Sequence, residues 1–61
     1  LMNINEEIAR IQKKFGKDGF AQMRESLIAG GVVKPLPSDK MGYDDWVDLI
    51  RAIDQNFGDA A

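Results

Sequence analysis

The chain has 61 residues, of which 44% are hydrophobic and 30% are charged, and its formal net charge at pH 7 is −2. This composition is typical of one small folded domain and argues against a disordered segment. Cysteine and histidine are both absent, which excludes disulfides, thiolate metal sites and the side chain that most often serves as a general base or a metal ligand.

The first predicted element is a helix over residues 5–15. Its apolar residues recur at spacings of four, three and four, which places them on one helix face: Ile4, Ile8, Ile11 and Phe15. Asn5 or Asn3 can cap its start. Gly16 is expected to end this helix by taking a left-handed conformation.

A second helix is predicted over residues 19–29, after a tight turn in which Asp18 can serve as the cap. The residues that share its apolar face, with a neighbour beside them, are Phe20, Met23, Leu27 and Ile28. The helix is expected to stop at Gly30 and Gly31, because consecutive glycines have low helix propensity and readily take positive φ.

Residues 32–37, which we call the strap, read VVKPLP. Pro35 and Pro37 fix φ and push the residues before them toward extended geometry. A slack linker is rich in glycine and serine, whereas this segment holds two valines and a leucine. The sequence therefore predicts an extended apolar strap that covers one end of the core.

A third helix is predicted over residues 43–57. Its apolar residues follow the helical period closely: Trp46, Leu49, Ile50, Ile53 and Phe57. Three aspartates lie in its first turns, where the helix dipole favours negative charge, Gly58 is expected to end it, and residues 59–61 are expected to form a frayed tail. Together the elements predict an all-α fold: a single compact three-helix domain over residues 1–61, with the strap between helices two and three.

Catalysis has little support in the sequence. Ser26 and Ser38 have no histidine to activate them, and a chain of this size rarely encloses the apolar pocket that a carboxylic acid needs in order to act as a general acid. We therefore expect a protein that is not an enzyme and that carries no cofactor and no metal.

The best functional candidate is an acidic stripe with aromatic and methionine neighbours. Its predicted partner-binding residues are Met41, Tyr43, Asp44, Asp45 and Asp48. Aromatic residues are favoured as interface anchors, and carboxylates around them can meet a basic partner. We expect a non-enzymatic module that binds a protein partner, with a small acidic regulator or inhibitor of a larger protein as one form. Trp46 is either the centre of the core or part of this interface.

A basic cluster on and after the first helix gives an alternative function, weak nucleic-acid binding. The cluster consists of Arg10, Lys13, Lys14 and Lys17. Phosphate contacts dominate affinity for nucleic acids, so an acidic chain with four clustered cations binds weakly at physiological salt. Nucleic acid is the less favoured partner.

A second alternative is self-association, or a docking domain excised from a larger chain. Residues 1–34 hold six basic and four acidic side chains, a net charge of +2, whereas residues 35–61 hold two basic and six acidic ones, a net charge of −4. This asymmetry allows two copies to pack head to tail as a homodimer.

No apolar run approaches the roughly 20 residues that span a membrane, and the start of the sequence lacks the basic and then apolar layout of a secretory signal. The expected location is therefore cytoplasmic, without a membrane partner.

Overall fold

Two helices and one turn of 3-10 helix make up the computed structural model, which describes residues 1–58. Helix α1 spans Ile4–Ala29, the 3-10 turn spans Ser38–Lys40, and helix α2 spans Tyr43–Phe57. The prediction of an all-α fold is confirmed. The tail predicted for residues 59–61 lies outside the described residues.

The prediction of three helices is wrong, because the chain stays helical on both sides of Gly16. This residue has φ 81° and ψ 164°, the non-helical values inside α1, and the helix resumes immediately after it. A straight helix of 26 residues is about 39 Å long, which exceeds the longest dimension of the molecule, 31 Å. Gly16 therefore bends α1 rather than ending it, and the turn predicted between two separate helices is a kink.

Each end of α1 has a defined cap. The side chain of Asn3 accepts a hydrogen bond from the backbone N–H of Glu6, 3.1 Å, so Asn3 rather than Asn5 is the N-cap. At the other end Gly31 has φ 74°. The N–H groups of Val32 and Gly31 donate to the carbonyls of Leu27 and Ile28, at 2.9 and 3.0 Å, which is the Schellman pattern that closes a helix.

The strap bends at Pro35. The N–H of Leu36 donates to the carbonyl of Lys34, 2.9 Å, a contact between residues two apart that is typical of a γ-turn around the intervening residue. The strap leads into the 3-10 turn and then to α2, where the N–H of Gly42 donates to Asp45 Oδ2, 3.0 Å. Asp45 thus holds the first turn of α2 in the manner of a capping box.

The core lies between the two limbs of α1 and the inner face of α2. The fully buried side chains are Ile11, Leu49, Ile50 and Ile53. Phe20, Met23 and Leu27 join them from the second limb of α1, and Trp46 is half-buried against this cluster. Phe57, the last residue of the predicted apolar series, is 38% exposed, whereas Val47 is buried. No helix among residues 1–58 combines the length and the apolar character needed to cross a membrane.

Candidate functional site: a groove between the strap and α2

A groove of about 390 Å³ runs between the strap and the outer edge of α2 and is open to solvent. Its apolar lining comes from three parts of the chain: Val32, Val33, Leu36, Met41, Leu49 and Ala52. Leu49 and Ala52 are buried members of the core, so the inner side of the groove is a continuation of the core surface. The volume falls in the range of about 300–1,000 Å³ that is usual for ligand sites.

Polar side chains form the rim of the groove: Arg24, Lys34, Asp45, Asp48, Arg51 and Gln55. Asp48, Arg51 and Gln55 follow one another along α2 at spacings of three and four residues, so they lie on the same face of the helix. All three are exposed. They form a row about 10 Å long along one wall, because a helix rises 1.5 Å per residue.

Three of the rim charges, Asp45, Lys34 and Arg24, are already engaged within the chain. Asp45 accepts the N–H of Gly42 with Oδ2, and its Oδ1 lies 3.9 Å from Lys34 Nζ. Arg24 donates from Nη2 to the carbonyl of Leu36. Arg24 therefore joins α1 to the strap, and its position fixes one wall of the groove.

The predicted acidic stripe is divided by this geometry. Met41, Asp45 and Asp48 line the groove, whereas Tyr43 and Asp44 do not. Tyr43 is 44% exposed, and its hydroxyl accepts the backbone N–H of Met2, 2.8 Å. It therefore ties the start of the chain to the start of α2.

Sequence reasoning missed the basic and amide residues of the rim. Arg24 and Lys34 meet Arg51 and Gln55 only after the strap folds back on α2, and no pattern along the sequence indicates this meeting. One signal was present: Asp48, Arg51 and Gln55 have the spacing of a single helix face next to the buried one.

The basic cluster of α1 is partly neutralised in the structure. Arg10 Nη2 donates to both carboxylate oxygens of Asp54, at 3.1 and 3.0 Å, and its Nε donates to Glu7 Oε1, 3.1 Å. The hydrogen bond with Asp54 raises the pKa of Arg10 above its ordinary value, and Glu7 acts in the same direction, while slight burial opposes both.

The three lysines of the cluster remain exposed. Lys14 Nζ lies 5.2 Å from the centre of the Phe15 ring, within the range of a cation–π contact. Lys13 and Lys17 lie on opposite sides of the kink at Gly16. The free positive charge of the cluster is therefore smaller than its four residues indicate.

The described residues contain no group of three or more His, Cys, Asp or Glu side chains placed to hold a metal ion. Ser26 and Ser38 are exposed and do not line the groove. Within residues 1–58 the polar side chains that line the groove are those of arginine, lysine, aspartate and glutamine.

Comparison with protein-family models, with curated proteins and with solved structures finds no match to this chain.

Proposed function

We propose that this chain is a non-enzymatic protein-interaction module that binds a segment of a partner protein in the groove between the strap and α2. A regulator or inhibitor of a larger protein is the form of this function that a small acidic domain fits best. One observation carries the proposal: an apolar surface continuous with the core opens beside a row of exposed polar groups.

The shape of the rim supports a peptide segment over a compact ligand. The row of Asp48, Arg51 and Gln55 is about 10 Å long, which corresponds to about three residues of extended chain at roughly 3.3 Å each. Apolar side chains of such a segment can cover Val32 and Met41, while its backbone and polar groups meet the row. Interfaces of this kind combine an apolar centre with a polar rim.

Two exposed glutamines offer a matched test. Gln55 lines the groove, whereas Gln22 lies on an exposed part of α1 away from it. Gln55→Trp fills the groove without changing charge, and Gln22→Trp makes the same chemical change elsewhere. The tagged chain and both variants would be used to capture partners from a lysate of the source cells, with and without nuclease.

We expect a protein that survives nuclease, is retained by Gln22→Trp and is lost with Gln55→Trp. Equal recovery by both variants contradicts the groove as the binding surface. Recovery that disappears with nuclease contradicts a protein partner and points to Lys13, Lys14 and Lys17. Recovery of the chain itself as the sole product indicates self-association.

A further inference from the structure

Arg24 gives the groove a chemical preference. Only 18% of its side-chain surface is exposed, less than for the other ion-paired residues of the rim, Lys34 and Asp45. The hydrogen bond from Nη2 to the carbonyl of Leu36 fixes the orientation of the guanidinium. Nη1 lies 3.8 Å from Glu25 Oε1, which is beyond hydrogen-bond distance. Arg24 is therefore held in a fixed orientation, and its ion pair with Glu25, whose side chain is 74% exposed, is screened by solvent.

The remaining charges of the groove favour an incoming anion. Lys34 and Asp45 lie 3.9 Å apart and offset each other. Arg51 lies on the rim, and no carboxylate among residues 1–58 comes within ion-pair distance of it. The groove is thus lined by three positive side chains, Arg24, Lys34 and Arg51, and two negative ones, Asp45 and Asp48, an excess of one positive charge on a chain whose net charge is −2.

The difference in exposure between Arg24 and Asp48 determines whether the groove favours an anionic or a cationic ligand. An ion pair with a partly buried charge is less screened than one with a fully exposed charge. Arg24 is mostly shielded from solvent, whereas Asp48 is exposed. A carboxylate beside Arg24 therefore gains more than a cation beside Asp48. A planar guanidinium also matches a carboxylate with two parallel donors.

The strap does not support the addition of a partner strand. The N–H groups of Val32, Val33 and Leu36 donate to carbonyls of this chain, and Pro35 and Pro37 have no N–H. Strand addition depends on a row of free main-chain donors and acceptors. The selectivity of this groove therefore depends on the side chains of the ligand rather than on strand pairing with the strap.

We propose that the groove selects a peptide segment that carries an apolar side chain and a nearby carboxylate. The apolar group lies against Val32 and Met41, which line the groove and are accessible to solvent, and the carboxylate meets Arg24 and Arg51. This inference rests on the proposed function and adds the chemistry of the partner. An acidic chain can thereby bind an acidic segment, because the side chains that line the groove carry an excess of positive charge.

The first test is a selection of random dodecapeptides displayed on phage against the folded chain. Each enriched peptide is then measured against Gln55→Trp and Gln22→Trp. We expect peptides that lose binding only to Gln55→Trp and that contain Asp or Glu close to a large apolar residue. Groove-dependent peptides that are neutral or basic would overturn the charge preference while leaving the groove as a binding site. The absence of any groove-dependent peptide would contradict both proposals.

Charge variants at exposed positions complete the test, with the best acidic peptide as a fluorescent probe. Arg51→Glu is expected to weaken binding roughly tenfold, the usual size of a charge-assisted hydrogen bond. Lys13→Glu makes the same change in net charge away from the groove and is expected to change binding less than about twofold. Asp48→Lys is expected to tighten binding several-fold relative to Asp44→Lys, its neighbour one turn away and outside the groove. If the two variants of either pair change the affinity for the peptide equally, the affinity depends on net charge alone, and the inference is overturned.

Discussion

Two glycines of this chain take positive φ, Gly16 at 81° and Gly31 at 74°, and the chain behaves differently after each of them. After Gly16 the helix resumes at once, whereas α1 ends at Ala29, just before Gly31, and the strap follows. A Cβ added at either glycine would have no atom within 4 Å, so neither glycine is required by crowding. Glycine is favoured at both positions because the backbone has a positive φ there, which other residues rarely adopt.

The residues that follow each glycine account for the difference. Lys17 and Asp18 can occupy the first turn of a helix, and Phe20 and Met23 then reach the core. Val32 and Val33 are β-branched, and Pro35 and Pro37 cannot donate to a helical hydrogen bond. A glycine with positive φ thus changes the direction of the chain, and the sequence after it decides whether a helix continues.

The largest effect expected from this comparison lies in a pair of leucines on either side of Gly31. Leu27 is 3% exposed and belongs to the core, whereas Leu36 is half-buried on the strap. Leu27→Ala is expected to destabilise the fold by about 2–5 kcal/mol, because it leaves a cavity. Leu36→Ala should cost about 1 kcal/mol. Urea unfolding, followed by the fluorescence of Trp46 and by circular dichroism, measures both.

A domain of this size can be unfolded by the first of these changes. Both variants would therefore also be measured in a stabilising osmolyte, which favours burial in each to a similar extent. Equal losses for the two leucines would show that the strap is as tightly packed as the second limb of α1, and would contradict the comparison.

The next largest effect concerns the kink itself. Gly16 has φ 81° and ψ 164°, values that are essentially restricted to glycine, so Gly16→Ala is expected to cost about 1–3 kcal/mol. Gly31→Ala should cost about 1–2 kcal/mol, the penalty of the left-handed region. Thermal unfolding of the two variants compares these values.

Chemical synthesis supplies the control for both glycines. D-alanine accepts positive φ, so the same methyl group with opposite chirality should be tolerated at either position and should stabilise by about 0.4–1 kcal/mol, by restricting the unfolded chain. A variant with L-alanine at position 16 that is as stable as the parent would mean that α1 can straighten there, and that the kink is not required by the core.

Much of this fold could be predicted from the sequence because its period is strong. The apolar spacing of α2, from Trp46 to Ile53, identifies the buried face directly. The error at Gly16 arises because the conformation of a glycine is read from its position alone, whereas the next residues decide whether the helix ends. The presence of a glycine at positions 16 and 31 therefore does not predict that the helix continues at the first and ends at the second.

The groove was harder to predict for a different reason. Met41, Asp45 and Asp48 were identified as candidates because they lie near one another in the sequence. Arg24 lines the same groove only because its guanidinium is held by the carbonyl of Leu36. This contact depends on the path of the strap, and a pattern along the sequence does not contain that path.

Smaller effects are expected from the prolines of the strap. Pro35→Ala and Pro37→Ala each give the unfolded chain more freedom and should cost about 0.4–1 kcal/mol. Helix content should stay constant in each single variant, because Val32, Val33 and the other proline still follow Gly31 and the Schellman contacts still close α1. Circular dichroism at 222 nm would detect an extension of the helix, which would mean that the replaced proline alone prevents the helix from continuing.

The smallest effect expected is at the ion pair that joins the first limb of α1 to α2. Arg10 and Asp54 are each almost half-exposed, so a double-mutant cycle with Arg10→Gln and Asp54→Asn should give a coupling of about 0.2–1 kcal/mol that weakens as salt is added. The same cycle with Glu7→Gln in place of Asp54→Asn measures the contact of Arg10 within α1.

The pH dependence of this pair follows from the raised pKa of Arg10. A raised pKa in the folded state gives stability that is fully present below the ordinary arginine value and is lost only as the pH rises through the raised one. Titration of Arg10 should therefore add no pH dependence between about pH 6 and 9. A coupling with Asp54 well above 1 kcal/mol would contradict the expectation that this exposed ion pair between the first limb of α1 and α2 is screened by solvent.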